Sequence, residues 1–165
     1  MAQVLMTGGS SFSGLWIAEA LAAAGHRVVA PVQRARVDYS GLRAERVERL
    51  ASSVEVVFEA PFAARVFSEL AGSDFDLLAH HAADIPNHRP ADDDVMDGVN
   101  RNLLGAEPVL SAFAKAGGRA VIATGTAFEA GEGRAEAGDL AISPYGLSKT
   151  LTNEALRHFA RWRDL

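Results

Sequence analysis

Short apolar runs alternate with segments of helical periodicity along the whole chain. Gln3–Thr7 is an apolar run closed by a polar residue and predicts a buried strand. Ser13–Ala24 carries apolar positions at helical spacing and is followed by Gly25, a residue type favoured just past a helix end. Arg27–Val32 predicts a second strand and Tyr39–Ala51 a second helix. Val54–Phe58 and Phe75–Ala79 read as strands on either side of a helix at Phe62–Leu70. Asp92–Asp94 gives an acidic start, favoured by the helix dipole, to one helix expected to reach Ala116. Arg119–Ala123 is the fifth strand and Pro144–Arg163 the last helix. Strand followed by helix, repeated throughout, argues for an α/β fold: a three-layer, doubly wound parallel sheet of Rossmann type. About five strands in the order 3-2-1-4-5 are expected, because right-handed crossovers leave few alternatives. Residues 1–165 contain no internal repeat, low-complexity tract or linker and are expected to form one domain.

Composition narrows the function classes. A net charge of −5 and a pI near 5.5 give no footprint for a polyanion, so nucleic acid is not an expected partner. No apolar run approaches the roughly 18 residues of a membrane span, and the N-terminus enters a strand without a signal-peptide pattern. A cytoplasmic location without membrane association is the expectation. The absence of cysteine removes disulfides and thiolate catalysis. Lys115 and Lys149 are the only lysines, so Arg supplies 14 of the 16 basic residues, and Ala is abundant, as in GC-rich bacterial coding.

Two motifs carry chemistry. The first strand runs into Thr7-Gly8-Gly9-Ser10-Ser11-Phe12-Ser13-Gly14 and then a helix, the context in which a glycine-rich turn cradles a dinucleotide diphosphate. Gly8 can take the angles of a sharp turn, Gly14 permits close packing of helix on strand, and the helix N-terminus offers N–H groups and a positive dipole end. Ser11 stands at the middle position, where glycine is usual. Gly8, Ser10, Ser11, Phe12 and Gly14 are therefore the expected cofactor cradle. The second strand ends Ala30-Pro31-Val32-Gln33-Arg34-Ala35-Arg36, with Val32 where a carboxylate would meet a ribose 2′-hydroxyl. Arg34 and Arg36 instead suit a 2′-phosphate, which favours NADP while leaving NAD open. At the other end of the chain, Tyr145 and Lys149 lie four residues apart on one helix face, so the ammonium is expected to lower the phenol pKa.

Other clusters read as structural. His80, His81, Asp84 and His88 are metal-ligand types, but adjacent strand-end histidines point to opposite faces, and no metal is expected. Ser13 and Ser148 lack the histidine-acid partners of a hydrolase nucleophile.

With these residues in view, the chain resembles the extended short-chain dehydrogenase/reductase family, the NAD(P)-dependent epimerases and dehydratases of nucleotide sugars. The glycine turn, His80-His81-Ala82-Ala83, Asn102-Leu103-Leu104-Gly105, Thr124-Gly125-Thr126-Ala127-Phe128 and Ser143-Pro144-Tyr145-Gly146-Leu147-Ser148-Lys149 stand in family order. The resemblance implies that Tyr145 is the catalytic acid/base, and that Lys149 activates it and binds the nicotinamide ribose. It gives Thr124 a hydrogen bond to the reacting oxygen, with Thr126 the substitute if the register differs by two. It implies that Ala82 and Ala83 line the cofactor and that Asn102 steadies the site from the fourth helix. Pro61 departs from the family's aspartate near the adenine. Members continue past the Tyr-Lys helix into a further strand and a substrate-gripping domain, which is expected to be absent from this chain. The polypeptide ending at Leu165 is then expected to be inactive alone. An exposed sheet edge would present apolar surface, compatible with a homodimer. The expected function is hydride-transfer chemistry on a small-molecule substrate, a nucleotide sugar by resemblance. The alternatives are a non-catalytic NADP-binding sensor or scaffold, or an inactive fragment of such an enzyme.

Overall fold

The structure, a computed structural model, describes residues 1–84, 94–132 and 139–165. Its five strands are β1 (Gln3–Thr7), β2 (Arg27–Pro31), β3 (Glu55–Val57), β4 (Leu77–His80) and β5 (Ala120–Ala123). They form one sheet in the order β3-β2-β1-β4-β5, and every neighbouring pair is parallel. The helices are α1 (Phe12–Ala23), α2 (Gly41–Ser53), α3 (Arg65–Ala71), α4 (Val95–Leu103), α5 (Ala106–Lys115) and α6 (Pro144–Arg161).

Side chains alternate across each strand, and this period of two sorts the core into two layers. Val4 and Met6 of β1 join Val28 and Ala30 of β2, with Leu15 and Ala18 of α1 and Leu50 of α2, on one face. Leu5 and Val29, pointing the other way, join Leu78 of β4, Phe67 of α3, Val109, Leu110 and Phe113 of α5, and Leu156 of α6. Central strands buried on both faces explain why the sequence shows continuous apolar runs there. At the edge, β5 is partly open, with Ile122 58% exposed. No helix among the described residues is long and apolar enough to cross a membrane.

The single helix expected up to Ala116 is two helices, α4 and α5, parted at Gly105; Asp92 and Asp93 lie outside the described residues. Asp94 caps α4, its carboxylate accepting from the N–H groups of Met96 and Asp97. Gly105 adopts φ +87°, and a Cβ there would lie 2.5 Å from the Cα of Ala63. The chain turns at that close contact, and α5 leaves to pack against α3 while α4 packs on α6. Pro108 agrees with this, because proline is tolerated in the first turn of a helix and not in its interior.

Gly105→Ala should destabilise the fold by at least ~2 kcal/mol, combining the left-handed penalty with a backbone collision. Gly117 has φ +91° but open space around it, so Gly117→Ala should cost only about 1 kcal/mol. Urea titration of the two variants checks the difference, and equal losses would refute the packing argument.

Candidate active site

The carboxyl ends of β1 and β4 meet at the glycine turn. Gly8 has φ +77°, and a Cβ there would stand 2.7 Å from the amide nitrogen of Ala82. A Cβ on Gly14 would collide with the Gly8 carbonyl oxygen at 2.1 Å. Both positions therefore require glycine for backbone contact. Ser11 caps α1: its Oγ accepts the Gly14 N–H at 3.0 Å. The side chain at the unusual middle position thus closes the first turn of the helix. Thr7 ties the turn to the next strand, its Oγ1 accepting the Ala82 N–H at 2.9 Å and sharing a hydrogen bond with His80 Nδ1 at 3.1 Å.

A cleft of about 340 Å3 opens over this turn. Thr7, Gly8, Ser10, Ser11 and Ser13 line its floor; Val32, Arg34 and Arg43 stand at one end, Thr124, Thr126, Tyr145 and Lys149 at the other. Ser143 caps α6, accepting from the Gly146 N–H at 3.0 Å, with Pro144 in the first turn, which delivers Tyr145 and Lys149 to the cleft on one helix face. Lys149 is buried, 4% exposed, and donates from Nζ to the Thr124 carbonyl oxygen at 3.0 Å. Burial pushes its pKa below the ordinary lysine range, opposed by the carboxylate of Glu129.

The phenol of Tyr145 is half-buried, and that burial pushes its pKa up, against a hydrogen bond with Thr126 that lowers it and the Glu129 carboxylate that adds to the rise. The expectation of a lowered phenol pKa is thus reversed in this structure. The ammonium is directed to the Thr124 carbonyl, and Glu129 offsets its charge, so desolvation dominates at the phenol.

The two histidines do face opposite ways. His80 is buried beneath Phe62, the ring centroids 4.5 Å apart. Burial, with the nearby Lys149 and His81 charges, brings its pKa down to about 4. His81 enters the cleft, its Nδ1 2.9 Å from Thr124 Oγ1 and its Nε2 3.0 Å from Ser13 Oγ. His88 lies outside the described residues, and among those described no three His, Asp or Glu side chains converge as metal ligands.

Of the cofactor residues expected from sequence, Gly8, Ser10, Ser11, Arg34, Ala82, Ala83 and Lys149 line the cleft. Gly14 lies behind the turn, and Phe12 is 70% exposed and does not line the cleft. Asn102 sits buried on α4, accepting from the Asp84 N–H at 2.7 Å and donating to the Gly98 carbonyl at 2.8 Å, so it pins the chain just past Ala83. Arg36 turns away into a two-pronged ion pair with Glu48. Arg43, on α2, lines the cleft along with Arg34 and reaches Ser10 Oγ at 3.5 Å. Sequence reasoning did not single out Arg43 or Glu129. Both belong to exposed-looking polar stretches, and only the packing brings Arg43 to the cleft and the Glu129 carboxylate within electrostatic range of Tyr145 and Lys149. The Glu129 carboxylate is 8% exposed, held by the Thr126 N–H at 2.8 Å and by Asn153 Nδ2 at 3.0 Å.

Strand order and glycine turn together define a doubly wound, dinucleotide-binding class of α/β protein, with the cleft at the switch point between β1 and β4. Residues 4–165 match the profile of the NAD dependent epimerase/dehydratase family, and the chain belongs to that family. The fold is shared with UDP-glucose 4-epimerase from Thermotoga maritima, solved with UDP-glucose (20% identity, TM-score 0.72, 99% of this chain and 52% of that one). It is shared also with UDP-glucuronic acid 4-epimerase from Bacillus cereus, solved with UDP-glucuronic acid and NAD (22% identity, TM-score 0.70, 97% of this chain and 52% of that one). A third solved relative is a putative short-chain alcohol dehydrogenase from Burkholderia multivorans (21% identity, TM-score 0.70, 99% of this chain and 78% of that one). The chain spans about half the length of the epimerases it matches. No curated protein matches it.

The buried His80 makes a pH prediction. Its pKa falls from 6.5 to about 4 on folding, so between these values the unfolded chain binds the extra proton. The stability that neutral His80 allows is complete above pH 6.5 and is lost as pH falls toward 4. The loss should reach about 3 kcal/mol at most, at 1.36 kcal/mol per pH unit. Urea midpoints from pH 7 to pH 4 should fall less steeply in His80→Gln than in the wild type; parallel slopes would refute the assignment.

Proposed function

We propose that the protein is an NADP-dependent epimerase, dehydratase or reductase of nucleotide-sugar-like substrates, with Tyr145 as proton carrier. The observation that supports this reading most directly is one cleft holding the phosphate-type turn, Tyr145, Lys149 and Thr124 together. The residues present fit a dinucleotide. Guanidinium groups lie at one end, the N-terminus of α1 at the middle, and a phenol-ammonium pair at the other. A bound nicotinamide dinucleotide would supply the hydride acceptor or donor. The chain's own groups handle the proton and the geometry. Tyr145 gives or takes the proton of the substrate oxygen at its phenol oxygen, Thr124 holds that oxygen by a hydrogen bond, and Lys149 keeps positive charge near the phenol. Lys149 is held in place by the Thr124 carbonyl, so one segment, Thr124–Thr126, sets the position of both ammonium and phenol.

Preference for NADP follows from the second strand's end. Val32 offers no carboxylate to a ribose 2′-hydroxyl, and Arg34 and Arg43 flank it. Arg43 replaces Arg36 in this role, since Arg36 is engaged by Glu48. NAD, which accompanies one of the solved relatives, is the competing cofactor.

Two measurements test the reading. In the complete enzyme, Tyr145→Phe should lower turnover by roughly 10² or more while leaving cofactor affinity nearly intact, because only the exchangeable proton is lost. Lys149→Met should weaken both, and Thr124→Ala should be milder than Tyr145→Phe. Undiminished turnover in Tyr145→Phe overturns the proton assignment. In nicotinamide fluorescence titrations, NADPH should bind more tightly than NADH. Arg34→Ala and Arg43→Ala should each weaken NADPH by about tenfold, near 1.4 kcal/mol, with NADH and the Arg36→Ala variant little changed. Equal binding of the two cofactors would reject the preference.

A further inference from the structure

Among the described residues, His81 is the one imidazole that lines the cleft, and both of its nitrogens are engaged. Nδ1 lies 2.9 Å from Thr124 Oγ1 and Nε2 lies 3.0 Å from Ser13 Oγ. The result is a continuous row, Ser13 hydroxyl, imidazole, Thr124 hydroxyl, running from the second residue of α1 to the end of β5. A neutral imidazole has one donor nitrogen and one acceptor nitrogen. The directions along the row are therefore linked. If Nδ1 carries the proton, it donates to Thr124, whose own O–H is free to donate into the cleft, and Ser13 donates to Nε2. If Nε2 carries the proton, it donates to Ser13, and Thr124 must spend its O–H on Nδ1 and can only accept from a ligand.

We propose that His81 is a positioning residue that sets whether Thr124 donates or accepts a hydrogen bond in the cleft, and that couples this choice to whatever engages Ser13 at the start of α1. The proposal rests on the reading of Thr124 as the residue that holds the substrate oxygen. The substrate oxygen exchanges its own proton with Tyr145, so Thr124 must donate to it, and only the Nδ1–H form leaves the Thr124 O–H free to do so. Ser13 lines the cleft floor beside the capped end of α1, where an anionic oxygen is favoured. Nδ1–H in turn requires Ser13 to donate to Nε2, so a phosphate oxygen at the start of α1 is met by backbone N–H groups and leaves the Ser13 O–H on the imidazole. Burial and the neighbouring Lys149 charge hold the His81 pKa below its ordinary value, which keeps the ring in the neutral form that the coupling needs.

The first test needs no turnover. Nitrogen-15 NMR of the histidine rings of the full protein, with His81 assigned through His81→Asn, reports the tautomer. With NADP bound, His81 should carry its proton on Nδ1, and Ser13→Ala should lower the share of that form while the cofactor still binds. An Nε2–H ring in the cofactor-bound protein, or the same tautomer population in Ser13→Ala, overturns the proposal. The second test is a double-mutant cycle with the active protein. His81→Leu should lower kcat by about tenfold with little change in KM for the cofactor, and adding Thr124→Ala to it should lower kcat no further. His81→Asn, whose amide can reach Thr124 in place of Nδ1, should restore most of the loss. Additive effects in the double variant, or no rescue by Asn, overturn the proposal, since a merely space-filling His81 would predict both. If Tyr145→Phe were fully active the functional reading would fail, but the tautomer result would stand or fall separately.

Discussion

Backbone contact between the ends of β1 and β4 governs most of what lies around the cleft. Gly8 touches the backbone at Ala82 and Gly14 touches the Gly8 carbonyl, at separations that leave no room for a side chain. Thr7 adds a polar tie across the same seam, taking the Ala82 N–H while it meets His80. Once the strand ends are held this close, the start of α1 opens toward the cleft and the chain after β4 is brought alongside it. His81 then reaches Ser13 on one side and Thr124 on the other. Loss of the seam would separate the phosphate-type turn from the tyrosine and lysine, which belong to an element far away in sequence.

The electrostatics of the cleft centre on one buried ammonium. Burying Lys149 is tolerable because a carbonyl accepts a hydrogen bond from its ammonium and the Glu129 carboxylate lies near enough to favour its charge. Burial, reinforced by that positive charge, disfavours protonation of His80 and His81, so both imidazoles stay neutral hydrogen-bonding groups. Glu129 acts on the phenol in the opposite sense to a lysine, raising its pKa along with the burial of the ring. The acid/base behaviour of Tyr145 is therefore set by the relative placement of Glu129, Lys149 and Thr126, and not by the four-residue spacing alone.

The carboxyl side of α4 shows how local strain serves packing. Gly105 lets the chain reverse against Ala63 in a conformation that a side chain would resist. Two short helices then take different partners, α4 packing on α6 and α5 on α3. Asn102, one turn before the break, fastens the segment that carries Ala82 and Ala83.

Strand and helix order was legible in the sequence because central parallel strands are buried on both faces and helices on one, and each leaves its own period. The expected order 3-2-1-4-5 emerged intact, as did the glycine turn at the end of β1, since both depend on local geometry and on the handedness of crossovers. The convergence of Tyr145, Lys149 and Thr124 on that turn matches the motifs' spacing within the fold. The break at Gly105 was missed because α4 and α5 carry compatible periodicities, and a contact with Ala63 is not a local property. Arg36 and Arg43 could not be told apart from sequence, because the pairing of one guanidinium with Glu48 depends on how α2 sits against the loop after β2. The same holds for the direction of the Tyr145 pKa and for the place of His81. Burial and charge at a site are sums over groups from separate elements, and only their assembly in three dimensions decides the sign.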